Sequence, residues 1–368
     1  MPTPLRADGE AILYRLFDVG YEIQLDRAYE LLGSSGPERR KPVRGEAQAI
    51  QIANPPVTVS IGTEQVDVGG QSCEAELSAR LFDFGVVSMR ARIRAPGSLP
   101  WSDFSAFGVA AGSSRAWSLF EPCRDRLLQR IVGAVVRPAL ATVTEEYVVV
   151  RVHRLEDSEG RSMRADILQD LDIERILVGE NRPLSAEARK DLLSQRFSYF
   201  DDDLAVLSWN SALVVESVRE DTDVQYVLEF ANAQLLELRF YDSILDAEIP
   251  RMYDEVESAR RGFHFLGRRF SRLLAALQTR VADATEAVER AENSLKVTED
   301  VFLARIYTAA LEIFRGPTWR RGIDRKVAIV RDTYVMLNAE SQARRAEILE
   351  IIIVGLITLE IALALVFR

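Results

Sequence analysis

The feature that most constrains this chain is an apolar run at residues 348–367, which reads ILEIIIVGLITLEIALALVF. Apart from Glu350, Gly355, Thr358 and Glu360, every residue in the run is apolar. A helix rises ~1.5 Å per residue, so this run is ~30 Å long, which matches the hydrocarbon core of a bilayer. The sequence therefore predicts a carboxyl-terminal membrane anchor helix over residues 348–367.

Two glutamates oppose this insertion. A charged residue at the centre of a membrane helix costs ~2.5–3.5 kcal/mol, whereas each central Ile or Leu contributes ~0.3–0.6 kcal/mol. Glu350 lies near the polar end of the run, and the many apolar neighbours of Glu360 outweigh its cost. We expect Glu360 either to be a neutral acid that is hydrogen-bonded to a backbone carbonyl of its own helix or to contact another subunit. On the second interpretation, Glu350 and Glu360 take part in assembly. The alternative for the whole run is a buried core helix of a soluble protein.

The flanking charges predict the orientation. Arg344 and Arg345 precede the run and are expected to stay on the cytoplasmic side of the membrane. The amino-terminal segment MPTPLRADGE has no apolar core of the kind that signal peptides carry. We therefore expect a single-pass membrane protein whose soluble body faces the cytoplasm.

The composition excludes several classes of protein. A net charge of −10 argues against a protein devoted to nucleic-acid backbones. Cys73 and Cys123 do not form a CxxC pattern, and His153 and His264 are the two histidines, so neither a zinc site nor a disulfide framework is expected. Phosphate-loop, GxGxxG, HExxH and GxSxG motifs are absent from the sequence. We predict no cofactor, no metal and no small-molecule substrate.

Residues 1–218 are predicted to form a mixed α+β domain facing the cytoplasm. Short runs rich in Val, Ile and aromatic residues predict strands, and apolar residues at helical spacing predict helices. The predicted strands are Ala11–Phe17, Val57–Ile61, Glu74–Phe82, Val86–Ile93, Glu145–Val152, Leu204–Ser208 and Ala212–Val215. The predicted helices are Tyr21–Leu32, Ser113–Arg137, Ala165–Leu177 and Ser185–Phe197.

Residues 219–347 are predicted to be long helices. After a helix at Asp223–Ile249, apolar residues spaced alternately by three and four form one seam from Leu273 to Ile313 and another from Ile323 to Ser341. The segment Gly316–Gly322 between them predicts a turn. We therefore expect an α+β fold that continues into an antiparallel coiled-coil hairpin and ends in the transmembrane helix. An ordinary helical bundle is the alternative to the hairpin.

A basic cluster with one tryptophan lies at the tip of this expected hairpin. It consists of Arg315, Trp319, Arg320, Arg321, Arg325 and Lys326. A tip that projects from a membrane surface is able to contact a large partner. The alternative is that these basic side chains pair with the many glutamates of the bundle.

The densest group of acids is Asp201–Asp203. Neighbouring carboxylates are able to hold Mg²⁺, and such a site would favour a metal-dependent hydrolase. Three consecutive acids before a strand more often cap and solvate a turn.

Three segments resemble the required-for-meiotic-nuclear-division family: Tyr199–Glu216, Gly316–Arg325 and Ile348–Ile361. Members of that family end in an apolar helix with a glutamate at the place of Glu360. The resemblance covers about the last 170 residues, is that of a bacterial-type member, and supplies no catalytic residues. It implies membrane anchoring and self-association and, for a mitochondrial member, support of translation.

The sequence as a whole predicts a non-enzymatic, tail-anchored membrane scaffold. Its expected partners are the lipid bilayer, further copies of the chain, and an unknown protein or ribonucleoprotein. One competing class is an enzyme with its site near Asp201–Asp203. Another is a soluble RNA-binding protein whose carboxyl-terminal helix is buried.

Overall fold

The computed structural model describes residues 5–33, 36–39, 51–52, 54–164, 172–179, 182, 184–217, 222–261, 275, 278–279, 282, 285, 295–296 and 301–366. The chain forms two compact units. Unit 1 consists of Met1–Phe240 and Arg290–Pro317, and unit 2 consists of Tyr241–Glu289 and Thr318–Arg368.

Unit 1 combines strands with helices, whereas long helices form unit 2. The strands are β1 (Arg6–Asp18), β2 (Gly20–Ile23), β3 (Glu38–Arg39), β4 (Gln51–Ile52), β5 (Val57–Val68), β6 (Gln71–Leu81), β7 (Val86–Arg94), β8 (Leu99–Pro100), β9 (Val135–Pro138), β10 (Thr144–Glu156), β11 (Arg196–Phe197), β12 (Leu204–Leu207), β13 (Ser211–Val215) and β14 (Leu295–Lys296). The helices are α1 (Leu25–Leu32), α2 (Trp101–Gly112), α3 (Trp117–Ile131), α4 (Glu174–Val178), α5 (Ala186–Leu192), α6 (Asp223–Arg261), α7 (Val301–Ile313) and α8 (Gly316–Val366).

A ten-stranded sheet forms the centre of unit 1. Its order is β11-β12-β13-β10-β1-β7-β6-β5-β3, and β8 pairs with β1. β10 and β13 run parallel, whereas the other neighbouring strands of this sheet are antiparallel. β1 lies between β10 and β7, so its side chains are buried on both faces along almost its whole length.

The first face of the sheet carries an aliphatic core. Alternate residues of β1, including Ala11, Leu13 and Phe17, belong to one buried cluster with side chains of α1, α2 and α3. Phe104 of α2 and Phe120 of α3 are fully buried in it. The strands alternate in side-chain direction, so the remaining residues of β1 point to the opposite face.

The second face is more polar and more aromatic. The first half of α6 covers it, with Phe230 against Phe82 and Phe84 at ring-centroid distances of 5.8 Å. α7 continues this layer, because Phe314 just after it packs on Tyr147 at 5.6 Å. Unit 1 therefore has helices on both faces of its sheet.

In unit 2, the second half of α6 packs along α8. Tyr241, Leu245 and Met252 of α6 are buried, as are the α8 residues Ile323, Val330 and Leu337, which recur every seventh position. A charged contact joins the two helices: the Nζ atom of Lys326 lies 2.7 Å from a carboxylate oxygen of Asp242 and 2.7 Å from one of Asp246.

The predicted mixed α/β domain followed by helices is confirmed. The predicted coiled-coil hairpin is not supported. Its predicted turn at Gly316–Gly322 is wrong, because these residues form the first turns of α8 and the chain turns at residues 314–315 instead. Most of the first arm falls outside the described residues. Among the described residues of that arm, Leu295–Lys296 is the strand β14 where a helix was predicted, and Val301–Ile313 is α7. Tyr307 of α7 donates a hydrogen bond to Gln234 of α6. Most of the predicted helix Ala165–Leu177 also lies outside the described residues.

Across the residues that the structure describes, no helix has both the length and the apolar character that a membrane crossing requires. This finding does not support the transmembrane helix that was predicted at residues 348–367, which stays a prediction.

Candidate functional site

A cavity of about 190 Å³ opens in unit 1 beside the ends of β10 and β13. Its polar wall consists of His153, Arg154, Ser162, Asp202 and Ser217. Leu155, Met163 and Val215 complete the lining. This wall is more polar than that of most small-molecule pockets, which are lined mainly by apolar side chains.

The cavity follows from the parallel pairing of β10 and β13. Val152 of β10 is in register with Val215 of β13, so the carboxyl ends of both strands meet at one edge of the sheet. In sheets with parallel strands, ligands commonly bind at such an edge. After β10 a tight turn brings Met163 back, where its N–H donates to the carbonyl oxygen of Leu155 at 2.8 Å.

Asp157 holds this turn together. Its carboxylate accepts hydrogen bonds from the backbone N–H groups of Glu159 and Arg161, both at 2.9 Å, and from the Arg161 side chain at 2.7 Å. These bonds, led by the one from the Arg161 backbone, lower the pKa of Asp157. An ionised Asp157 thus keeps Ser162 and Met163 beside the ends of the strands.

A buried charged cluster lies next to the cavity. The Glu10 carboxylate of β1 lies 3.4 Å from Arg151, 3.5 Å from Arg92 and 3.7 Å from the Nε2 atom of His153. Burial alone would raise the pKa of Glu10, but its hydrogen bond with His153 and the two guanidinium groups more than offset burial and lower it. Glu10 is therefore held ionised and orients His153 in the cavity wall.

Gly9 makes this cluster possible. β1 shifts register against β10 between Asp8 and Gly9, which is a bulge. A Cβ atom at Gly9 would lie 2.0 Å from the Arg151 carbonyl oxygen and 2.9 Å from the Phe104 ring. Only glycine permits β1 to approach β10 this closely beside Glu10.

Glu216, which directly follows β13, adds a second and partly buried acid. Burial raises its pKa, and the Asp203 carboxylate adds to this effect, while a hydrogen bond with Thr222 and the charge of Arg151 oppose it. The Oε2 atom of Glu216 is buried and has no hydrogen-bond partner among the described residues. The Nδ1 atom of His153 is likewise buried and has no hydrogen-bond partner among the described residues.

The three predicted acids have different surroundings. Asp201 pairs with Arg164 at 3.2 Å, and Asp203 accepts a hydrogen bond from the backbone N–H of Tyr199 at 2.7 Å. Asp202 lines the cavity. Within the described part of the chain, no group of three or more metal-ligating side chains is present.

Two residues of the predicted basic cluster, Arg315 and Lys326, contact an aromatic ring and a pair of acids, respectively. In unit 1, the Arg315 guanidinium lies 5.8 Å from the ring centroid of Trp209, and Arg315 has a positive φ of 55°. In unit 2, Lys326 is held between Asp242 and Asp246. The role of both residues in partner contact stays a prediction.

The other members of the cluster lie on the first turns of α8. Arg320 approaches Asp324 at 3.9 Å, and Arg321 donates to the Thr318 hydroxyl at 3.3 Å. Arg325 is exposed and Trp319 is partly buried. None of these contacts tests a role in partner binding.

The carboxyl-terminal half of α8 exposes apolar side chains in all directions. Residues 351–354 are consecutive Ile, Ile, Ile and Val, and their exposed fractions are 69, 50, 54 and 58%. Four consecutive residues point to all sides of a helix, so no polar face remains here. Glu350 and Glu360 are exposed as well. The side chains of Arg344 and Arg345, and Phe367 at the end of the predicted anchor, lie outside the described residues.

Sequence reasoning missed Glu10, Arg92 and Arg151 entirely. The available signal was a charged residue inside an apolar strand, as in VVVRVHRL, where Arg151 and His153 interrupt a run of valines. Charged residues are almost never fully buried unless they are paired. Such an interruption therefore predicts a buried partner, although not its identity.

Comparisons with known proteins identify relatives of unit 1. A family model described as "Uncharacterized protein MJ0711, N-terminal domain" matches residues 8–222. Uncharacterized protein MJ0711 from Methanocaldococcus jannaschii is 25% identical over 191 residues, which cover 52% of this chain and 58% of that protein. The match thus spans less than two thirds of the relative. No solved structure matches the chain. The comparisons do not show the predicted resemblance to the required-for-meiotic-nuclear-division family.

Proposed function

The chain belongs to the family of the MJ0711 N-terminal domain, and on this premise we propose that it is a non-enzymatic scaffold held at a membrane by α8. The proposal rests on the surfaces of the chain itself. In it, unit 1 is presented to a macromolecular partner on the cytoplasmic side, and copies of the chain associate through α8.

The observation that carries this proposal is the exposed apolar surface of α8. Ten large apolar side chains between Leu349 and Leu363 are each 48–69% exposed. Contiguous apolar surface of this kind marks a membrane or protein interface. Apolar residues on every side of the helix favour lipid, because contact with one partner helix needs only a stripe.

The finer parts of the proposal come from the sequence. Arg344 and Arg345 would lie at the membrane surface, and Glu350 and Glu360 would take part in assembly. The basic cluster around Arg315 would contact the partner. The resemblance described above suggests the translation machinery as that partner.

Alkaline-carbonate fractionation tests the attachment. We expect the full chain to stay in the membrane pellet, and a chain ending at Arg345 to be extracted. A full-length variant with Ile353→Lys and Ile357→Lys is the matched control and should also be extracted, because it keeps the length of α8 while adding two charges. Extraction of the unmodified full chain would refute the proposal.

A further inference from the structure

The acids near the cavity differ in whether their charge is already satisfied. Asp201 is paired with Arg164, and Asp203 accepts the backbone N–H of Tyr199. Asp202, between them in sequence, lines the cavity and makes no hydrogen bond or ion pair with the described residues. It is the one acid of the three whose carboxylate remains available to a ligand.

Besides Asp202, the polar wall consists of an arginine paired with its own acid, two serine hydroxyl groups that accept as well as donate, and a histidine. Arg154 is directed to Glu156, with 3.0 Å between Nη1 and Oε1. The hydroxyl groups of Ser162 and Ser217 line the cavity and make no hydrogen bond within the described part of the chain. His153, whose side chain is 9% exposed, is held on its other side by Glu10.

A carboxylate beside two hydroxyl groups complements a ligand that carries positive charge and several hydrogen-bond donors. A primary ammonium group has three donors and no acceptor. A cavity of about 190 Å³ holds a molecule of several non-hydrogen atoms, since a water molecule occupies ~30 Å³ in the liquid.

We propose that this cavity binds a small organic amine, with its ammonium group on Asp202 and its donors shared with Ser162 and Ser217. The guanidinium groups of Arg92 and Arg151 do not oppose the amine strongly, because both lie against Glu10. The site is independent of membrane attachment by α8, since all the residues that form it belong to unit 1.

Calorimetric titration of the purified full chain with ethanolamine and with putrescine tests the proposal. We expect saturable binding of at least one amine, and binding at least tenfold weaker in Asp202→Asn. Asp201→Asn is the matched control, because it makes the same change one residue away on an acid that does not line the cavity. Its affinity should equal that of the unmodified chain.

Acetate and inorganic phosphate are the opposing probes. Absence of saturable amine binding, equal affinity in Asp202→Asn, or saturable binding of the anions alone would each overturn the proposal. Thermal unfolding of Asp202→Asn without ligand checks that the variant is folded. We expect an unchanged midpoint, because Asp202 lies in an exposed turn.

Discussion

At the residue scale, Asp18 at the end of β1 is an acid that the fold keeps away from water. It is 1% exposed, its Oδ1 atom accepts the N–H of Gly20 at 3.2 Å, and it shares a hydrogen bond with Glu237 of α6. Burial raises its pKa to about 7, although both hydrogen bonds work against this increase. Two acids in hydrogen-bond contact are more easily accommodated when a proton lies between them.

This raised pKa predicts how stability depends on pH. An aspartate in the unfolded chain titrates near ~3.9, so between pH ~4 and ~7 the folded state binds the additional proton. The free energy of unfolding should fall as the pH rises through this window and level off above it. Asp18→Asn should remove most of this dependence, which amounts to at most ~4 kcal/mol at ~1.4 kcal/mol per pKa unit.

Urea unfolding at pH 5 and at pH 8 measures this effect. Asp332→Asn provides the control, because the Asp332 side chain is 74% exposed and its removal should leave the pH dependence unchanged. If Asp18→Asn and the unmodified chain lose the same stability between the two pH values, the assigned role of Asp18 is wrong.

At the scale of elements, the first half of α6 is held to the sheet by buried charge. Arg80 of β6 forms an ion pair with Glu229, and their side chains are 9% and 1% exposed. The Arg80 guanidinium also lies 5.1 Å from the ring centroid of Tyr226. A charge left in such a site without its partner is strongly unfavourable.

Arg80→Met should therefore lower the free energy of unfolding by ~3–5 kcal/mol, because it leaves the buried Glu229 carboxylate without its ion-pair partner. Adding Glu229→Leu should recover most of this loss, since no buried charge then remains. Arg94→Met tests the same chemistry at an exposed pair, Arg94 with Glu76 at 3.0 Å, and should cost less than ~1 kcal/mol. Urea denaturation gives all three values; no recovery in the double variant would contradict this account of α6 docking.

At the scale of the whole molecule, the residues that the family model matches differ from the residues that form unit 1. The family model ends at residue 222, whereas α6 and α7 beyond it cover the second face of the sheet. Tyr14, Tyr147 and Phe82 are 1–2% exposed with these helices in place. Segments that are distant in sequence thus complete unit 1.

A chain ending at Ser217 should therefore lose cooperative unfolding and aggregate, because it exposes this aromatic face. A chain ending at Glu347 retains α6 and α7 and should unfold as cooperatively as the full chain. Differential scanning calorimetry and near-ultraviolet circular dichroism distinguish the two outcomes. A cooperative transition in the shorter chain would show that the second face does not need its helices.

Local pattern predicted seven of the fourteen strands among the described residues, including the five longest. The predicted runs Ala11–Phe17, Val86–Ile93 and Glu145–Val152 all lie inside observed strands, because β-branched and aromatic residues fit a buried, extended backbone. Helix limits were predicted less well. The helix expected at Ser113–Arg137 is α3 at Trp117–Ile131, and α2 at Trp101–Gly112 was not predicted, since its aromatic and glycine-rich sequence becomes helical through packing on the sheet.

The sequence alone determined which segments are apolar, which extend as strands, and that long helices follow the α/β region, because these properties depend on the spacing of neighbouring residues. Only the tertiary structure brought Glu10, Arg151 and His153 together and placed Asp202 beside them. Strand order and register decide such contacts, and they depend on pairings between residues more than sixty positions apart. A local pattern carries no information about those pairings.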